Sequence, residues 1–305
     1  MANAQIVNLK FMGFFEIMEA IKNKIVIYGR MIKFSHTIFA LPFALSAMIL
    51  AWQSYEFKIS DLILILMAMV AARSAAMGFN RIADADIDKK NKRTAIREIP
   101  SGILKKGEAV MFVVLSSIVF ILSAYALGKT CFVLSFPVLA FLLFYSFTKR
   151  FTKYCHIFLG IAIGLAPAGA WIAITNSISV SIIFLCVALM TYIAGFDILY
   201  SCQDIEFDKS EGLFSFPVQF GAEKAMFIAK ILHLFTIFSL ILMCFSFNMH
   251  PLFYIFVGAI AVLLVIEHML VKPDDLKHIN IAFFHMNSLI SITLLAGVII
   301  ETILK

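Results

Sequence analysis

The sequence is dominated by apolar runs of about 20 residues, which recur along its whole length and restrict the folds open to it. One such run forms a helix long enough to cross a hydrocarbon core about 30 Å thick. Only 14% of the residues are charged, below the roughly 25% of a soluble domain, and the mean hydropathy is +0.97. These features exclude a soluble globular fold and predict an all-α polytopic membrane protein.

Nine segments are predicted as transmembrane helices. They are residues 34–53, 59–79, 109–128, 131–147, 156–175, 179–199, 224–247, 251–271 and 280–303. No low-complexity linker divides them, so we expect residues 1–305 to form a single transmembrane domain. Residues 1–33 are predicted as an N-terminal cytoplasmic or interfacial segment, because residues 11–25 combine apolar and charged positions as an interfacial amphipathic helix does.

The distribution of basic residues predicts the orientation. Twenty-one of the 25 Lys and Arg residues lie on the side of the N-terminus and the loops after even-numbered spans. The exceptions are Lys58, Lys129 and Lys305 on the other side, and Arg73 inside a span. Basic loops stay in the cytoplasm, so the N-terminus and these loops are predicted to be cytoplasmic. The net charge of +6 then indicates a lipid bilayer partner rather than nucleic acid, and no obligate protein partner is evident.

Two acidic triplets with the same spacing follow the second and the sixth predicted spans. They are Asp84, Asp86 and Asp88 and, 120 residues later, Asp204, Glu206 and Asp208. Four spans separate the triplets, so both emerge at the same membrane face, as in two parallel four-helix repeats plus one helix. If each helix continues, residues four apart share a face. The outer acids of each triplet would then point together and the middle acids away.

Converging carboxylates need positive partners, because two unit charges about 4 Å apart repel by roughly 4 kcal/mol at an effective dielectric of about 20. Mg²⁺ suits such oxygen ligands and commonly bridges them to substrate phosphates. Nearby basic side chains could clamp the remaining phosphate oxygens. The candidates are Arg93, Arg97, Lys149 and Lys209. The alternative is that these acids are solvated loop residues and that the basic residues only follow the positive-inside rule.

Arg73 and Asp197 are charged residues that lie within predicted spans, about two turns from the cytoplasmic end. A charge at the centre of a membrane helix costs at least about 2.5 kcal/mol, so such residues are usually paired or face a polar cavity. One interpretation is a structural ion pair between Arg73 and Asp197. The preferred one is that both face a polar substrate cavity.

These residues form two motifs that resemble those of the UbiA-type superfamily of intramembrane aromatic prenyltransferases. The first motif, N-x-x-x-D-x-x-x-D, is Asn80, Asp84 and Asp88 here. The second, D-x-x-Y-x-x-x-D-x-x-x-D, is Asp197, Tyr200, Asp204 and Asp208. The segments YSFTKRFT (145–152) and LGIAIGLAPAGAW (159–171) also look like parts of that family. One departure is Arg81, at a position where the family often has Asp.

The resemblance implies nine helices around a central cavity and Mg²⁺-dependent transfer of a polyprenyl group from polyprenyl diphosphate to an aromatic ring. It assigns Mg²⁺ and diphosphate binding to Asn80, Asp84, Asp88, Asp204 and Asp208. It assigns diphosphate contacts to Arg93, Arg97, Lys149 and Lys209. Asp197 and Tyr200 would lie near the reacting carbon or the acceptor.

The residues 33–51 and 72–81 look most like the bacterial menaquinone branch of that family, whose members are commonly labelled 4-hydroxybenzoate polyprenyltransferases. The acceptor implied is an aromatic carboxylate of quinone biosynthesis, either 4-hydroxybenzoate or 1,4-dihydroxy-6-naphthoate. As a hypothesis, Arg73 would bind the acceptor carboxylate, with Lys33 and His36 as weaker candidates. Asp197 would take the ring proton or stabilise the positive charge.

Three alternatives remain from the sequence. Another branch of the same superfamily would prenylate haem or chlorophyll. A secondary transporter would account for intramembrane charges and a repeat, although transporters place coupling charges near the midplane. A lipid-headgroup transferase would carry a D-G-x-x-A-R core, which the sequence lacks.

Overall fold

The structure, a computed structural model, describes residues 18–19, 22–277 and 279–305, and the regular elements in this part of the chain are helical. Most of the predicted interfacial segment 11–25 lies outside the described residues. The α-helices are α1 (22–31), α2 (Leu41–Trp52), α3 (Ile59–Ala83), α4 (Ala85–Lys90), α5 (Lys106–Leu127), α6 (Lys129–Phe144), α7 (Cys155–Thr175), α8 (Val180–Ser201), α9 (Ile205–Ser210), α10 (Phe216–Phe220), α11 (Ala222–Ser246), α12 (Phe253–Leu270) and α13 (Asn287–Leu304). Short 3₁₀ turns cover Phe34–Phe39, Tyr145–Arg150 and Cys202–Asp204, and a π turn, Ala282–Met286, precedes α13.

The all-helical polytopic architecture is confirmed. Eight helical stretches among the described residues are long and apolar enough to cross a membrane, and they correspond to predicted spans two to nine. The first predicted span, 34–53, is instead the 3₁₀ turn Phe34–Phe39 followed by the 12-residue α2. Pro42 sits in the first turn of α2, where its missing N–H is tolerated, so the α-helix starts there. The count of nine is therefore not confirmed.

Helix α8 is the protein-enclosed centre of the bundle. About two thirds of the residues in the most apolar part of the stretch Val180–Ser210, which α8 begins, are buried inside the protein, whereas Lys106–Leu127 and Lys129–Arg150 are mostly exposed or half-buried at the outside of the bundle. Helix α8 packs against α7 on one side and α11 on the other. The lipid-facing surface is therefore supplied mainly by the outer helices, whose exposed residues are large and apolar.

Close packing of α7 on α8 depends on two glycines spaced four apart, Gly160 and Gly164. A Cβ built at Gly164 would lie 3.0 Å from the Cys186 carbonyl oxygen and from the Met190 Cβ. One built at Gly160 would overlap the Met190 carbonyl oxygen. Small residues at this spacing let membrane helices approach closely, which is how their association is stabilised in lipid.

Both acid-bearing helices break at equivalent residues. Asp84 separates α3 from α4 with φ −93° and ψ 1°, and Asp204 precedes α9 with φ −106° and ψ 6°. At the first break the Asp84 amide still donates to the Asn80 carbonyl at 2.9 Å, and the Asp88 amide to the Asp84 carbonyl at 2.7 Å. The side chains of Asn80, Asp84 and Asp88 therefore stay on one face. We call the end of the bundle that carries both breaks the charged face.

We predict that Gly160→Ala destabilises the protein and that Gly169→Ala on the same helix does not, because a Cβ at Gly169 meets nothing within 4 Å. Both changes gain the same helix propensity, about 1 kcal/mol, so the difference reports the contact with α8. Overpacking should cost Gly160→Ala about 1–3 kcal/mol, measured as a lower melting temperature in detergent. Equal melting temperatures for the two variants would contradict this packing.

Candidate functional site

Asp84 is a buried carboxylate held by three partners. Its side chain is 2% exposed, and its Oδ2 lies 2.9 Å from the Lys149 Nζ. Its Oδ1 lies 3.4 Å from an Arg150 Nη2 that also donates to the Ala83 carbonyl. The Asn80 amide donates to Oδ2 at 3.1 Å. Both basic residues come from the 3₁₀ turn after α6, so this turn packs its charges against the end of α3.

Asp88 is bound by an arginine from the loop that follows it. The Arg97 Nη1 donates to both Asp88 carboxylate oxygens, at 2.7 and 2.6 Å, and Asp88 is 4% exposed. The Thr94 hydroxyl donates to the Asp88 carbonyl at 3.1 Å, which folds the loop back over the helix end. Sequence reasoning predicted Arg97 for this region but not the loop geometry that brings it there.

Arg93 connects the two motifs. It lies in the loop after the first motif, yet its Nε and Nη2 donate to the two oxygens of Asp204 in the second motif, at 3.1 and 2.5 Å. Burial alone would lower the pKa of Arg93, but the hydrogen bonds and charge of Asp204 raise it. A second contact across the motifs joins the Lys90 Nζ to the Glu211 Oε2 at 2.6 Å. The two helix tips therefore meet.

The outer and middle acids of each triplet behave as predicted from helix periodicity. Asp86 and Glu206 are exposed, whereas Asp84 and Asp88 are buried and Asp204 and Asp208 are partly buried. Within the described residues, the Asp208 carboxylate has no hydrogen-bond or ion-pair partner, although the Asp208 carbonyl accepts from the Leu213 amide at 2.8 Å, and the side chain of Lys209 is exposed without a partner. The structure therefore does not bring Lys209 into contact with the other candidates.

Asp197 pairs with a histidine that sequence reasoning missed. The Asp197 Oδ2 lies 2.7 Å from the Nδ1 of His156, which is 2% exposed at the start of α7. In the sequence, His156 stands out only as a histidine at the end of an apolar span. It lies in a different helix from Asp197, so no spacing within one helix indicates that the two side chains meet. Tyr200 receives an Arg93 N–H at its hydroxyl, 3.4 Å away, and its ring lies 4.1 Å from that of Phe283.

The interpretation of an ion pair between Arg73 and Asp197 is wrong. The Arg73 Nη2 donates instead to the carbonyls of Ile32 and Lys33, at 3.4 and 3.0 Å. These carbonyls lie just beyond the end of α1, where backbone acceptors lack helical partners. Arg81 is buried about two helical turns further along α3. Its Nε donates to the Met31 carbonyl at 3.0 Å. Two arginines of α3 thus hold the end of α1.

An apolar cavity of about 370 Å³ lies beneath the charged face. Residues of α3, α5, α6 and α7 line it, together with Thr37 and Ala40 just before α2, and almost all of them are aliphatic, small or aromatic. Arg73, Thr37 and Tyr145 supply polar groups at the end nearest the charged face, whereas Leu127 and Ile178 mark the opposite end. The cavity therefore runs along the membrane normal from an apolar end to a polar one.

The donor set at the helix tips is suited to a hard cation. Four carboxylates and the Asn80 amide oxygen are the oxygen ligands that Mg²⁺ prefers. No three His, Cys, Asp or Glu side chains in the described part of the chain already lie together as a metal site. Basic partners instead hold Asp84, Asp88 and Asp204 individually. The residues fit a magnesium ion in chemistry, and binding it would exchange these basic partners for the cation.

Comparisons with known proteins agree with this arrangement. The sequence profile of the UbiA prenyltransferase family matches residues 40–289. A relative from Vibrio atlanticus (strain LGP32), named 4-hydroxybenzoate octaprenyltransferase, is 29% identical over 193 residues, which are 63% of this chain and 68% of the relative.

Solved structures have the same fold. The apo structure of a UbiA homolog from Aeropyrum pernix K1 aligns with a TM-score of 0.79 at 31% identity, covering 87% of this chain and 98% of that one. A UbiA homolog from Archaeoglobus fulgidus, bound to GPP and Mg²⁺, aligns with a TM-score of 0.69 at 18% identity, covering 89% of this chain and 99% of the other.

Proposed function

Because the chain belongs to the UbiA prenyltransferase family, we propose that it transfers a polyprenyl group from a polyprenyl diphosphate to an aromatic carboxylate, with Mg²⁺ as cofactor. The protein is an integral membrane prenyltransferase, which leaves the secondary-transporter alternative without support. The observation that carries the proposal is the pairing of Arg93 with Asp204, which joins both motifs above the polar end of an apolar cavity.

Asn80, Asp84, Asp88, Asp204 and Asp208 would hold Mg²⁺ and, through it, the diphosphate. The GPP and Mg²⁺ in the Archaeoglobus homolog support this assignment. Bound magnesium would neutralise the negative charge that develops on the departing diphosphate.

The basic residues at the tips would bind the diphosphate oxygens directly. Arg93, Arg97 and Lys149 already lie there, paired with carboxylates, and Arg150 joins them beside Asp84. Lys209 remains a candidate that would have to approach from its exposed position. Guanidinium groups can bind phosphate in a bidentate manner, and cations fixed in a site of low dielectric stabilise the developing charge more than water does.

The apolar cavity would hold the prenyl chain. Its walls are transmembrane helices with few polar groups, so water is excluded from the allylic carbon once the diphosphate leaves. The polar end near Arg73 and Tyr145 would bring the first isoprene unit close to the helix tips.

Asp197, Tyr200 and Arg73 would act on the acceptor. His156, hydrogen-bonded to Asp197, would fix the orientation of that carboxylate, which would accept the ring proton or stabilise the cationic ring. Arg73 lines the cavity and would bind the acceptor carboxylate, with Lys33 and His36 nearby as weaker candidates. The name of the Vibrio relative supports 4-hydroxybenzoate, and the menaquinone-type segments support 1,4-dihydroxy-6-naphthoate.

The charged face would be cytoplasmic, in the inner membrane of a bacterium, since almost all basic residues lie on that side. A water-soluble acceptor and the released diphosphate would then exchange with the cytoplasm.

We predict that Asp84→Ala and Asp204→Ala each lower prenyl transfer in membrane vesicles by about 100-fold or more, because each removes a group that stabilises the diphosphate charge. Asp86→Ala and Glu206→Ala are matched controls, since both acids are exposed and belong to the same triplets. Retained melting temperatures show that the variants fold. Controls that lose as much activity as the buried acids would count against the assignment.

Chelation should stop the reaction. We expect EDTA to abolish prenyl transfer by the purified protein and added Mg²⁺ to restore it, because the paired acids cannot bind diphosphate without a cation. Run with 4-hydroxybenzoate and with 1,4-dihydroxy-6-naphthoate in parallel, the same assay identifies the acceptor. Transfer that persists undiminished in EDTA would overturn the magnesium proposal, and haem prenylation would be favoured if neither aromatic carboxylate reacts.

Arg73→Ala should raise the KM for the carboxylate acceptor about ten-fold or more while the KM for the prenyl diphosphate stays constant, because a charged hydrogen bond is lost. Arg81→Ala is the control for structural damage, since Arg81 holds the same end of α1 without lining the cavity. Phenol, which lacks the carboxylate, should react equally with Arg73→Ala and the unmodified protein. Equal losses in Arg73→Ala and Arg81→Ala would mean that Arg73 acts only through α1.

A further inference from the structure

A second recess, separate from the acid-bearing tips, opens at the charged face between the start of α11 and the end of α12. It has a volume of about 450 Å³. Its lining combines three lysines, Lys224, Lys230 and Lys272, with His268 and the apolar residues Met226 and Phe227. Neither sequence motif contributes to it, so the proposed transfer reaction leaves this recess unexplained.

The lining of the recess carries a net positive charge, and the acids Asp274 and Asp275 lie in the adjoining turn outside it, with Asp275 paired to Lys272 through the backbone. All three lysines are exposed, and none has an ion-pair partner within the described residues. Glu223 is the acidic residue in the described lining, so the lysines outnumber it three to one. The recess therefore favours an anion.

Its position at the membrane boundary selects the kind of anion. The lysines lie at the ends of two transmembrane helices, and Lys230 lies two turns inside α11, where its long stem can extend its ammonium group to the interface. Deeper along the same two helices, Leu234 of α11 and Val265 of α12 are 69% and 59% exposed on the lipid-facing surface. A ligand that fills both parts needs a phosphate group above and hydrocarbon below.

We propose that this recess binds the phosphate headgroup of an anionic phospholipid, with Lys224, Lys230 and Lys272 as the cationic ligands. The acyl chains would lie along Phe227 and the neighbouring apolar surface of α11 and α12. Basic pockets between transmembrane helices recognise anionic headgroups by the same chemistry.

The recess is connected to the centre of the bundle by a short polar chain. His268 in its wall lies 2.9 Å from His233, between the His268 Nε2 and the His233 Nδ1. The His233 Nε2 lies 3.3 Å from the carbonyl oxygen of Tyr192 in α8. A lipid bound to α11 and α12 would therefore brace α8, and occupancy should stabilise the fold.

The test is a thermal-shift titration of the purified full-length protein in detergent with dioleoyl phosphatidylglycerol, and native mass spectrometry to count bound lipids. Phosphatidylcholine tests the need for net negative charge, and inorganic phosphate tests the need for a lipid. We expect stabilisation by phosphatidylglycerol alone. The triple variant Lys224→Gln, Lys230→Gln, Lys272→Gln should bind it about a hundred-fold more weakly, since each basic residue near a membrane surface contributes about five-fold.

The matched control changes three exposed lysines outside the recess and thus the same net charge: Lys22→Gln, Lys89→Gln, Lys106→Gln. It should keep the full stabilisation. An equal loss in the control triple would overturn the proposal, because general charge would then explain binding. If inorganic phosphate alone stabilises the protein as much as phosphatidylglycerol does, the ligand of the recess is not a lipid and the proposal is overturned. If the pocket triple does not fold, Lys230→Gln alone should weaken binding about five-fold, and unchanged binding would contradict the proposal.

Discussion

Carboxylates buried at a membrane boundary need positive partners, and this requirement organises the charged face. Asp84, Asp88 and Asp204 each have a basic partner within 3 Å. A buried charge that loses its partner destabilises the fold, and this applies most to Asp84 and Asp88, since Asp204 is only partly buried. The loops after α4 and α6 are therefore fixed over the helix tips by their charges. The same pairs give the site nearly balanced charge before any cation or diphosphate arrives.

The transmembrane helices supply an apolar cavity from which water is excluded, and their packing fixes its position beneath the charged face. Packing of α7 against α8 at Gly160 and Gly164 keeps the inner helices close, and the apolar cavity lies on the other side of α7. Arg73 connects the apolar cavity with the charged face, since it borders the cavity and also donates to the backbone just beyond α1. The diphosphate at the helix tips and the prenyl chain in the cavity would thus be neighbouring parts of one substrate molecule.

Much of the fold could be predicted from the sequence because length and hydropathy determine membrane helices. Spans two to nine end within a few residues of their predicted positions, and the exposure of Asp86 and Glu206 follows from helix periodicity alone. The first span was overestimated, since apolar composition does not reveal that residues 34–39 form a 3₁₀ turn.

The individual partners of the charges could not be predicted in the same way. His156 with Asp197, and Arg150 with Asp84, are contacts between helices that no spacing in one helix encodes. The sequence predicts that Arg73 faces either Asp197 or a polar substrate cavity, whereas the structure places it at the border of an apolar cavity, with its hydrogen bonds to backbone carbonyls of a preceding segment. Positive-inside bias also hides individual roles, because every cytoplasmic lysine satisfies it equally.

The most direct test of the account asks whether acids from the two tips act as one site. A double-mutant cycle of Asp84→Asn and Asp204→Asn would measure the binding of a non-hydrolysable prenyl thiodiphosphate in the presence of Mg²⁺. The account predicts that each single change removes most of the affinity and that the double change removes little more, a coupling above about 1 kcal/mol. Losses that add to within about 0.5 kcal/mol would mean that the two tips bind independently, and the shared site would be excluded.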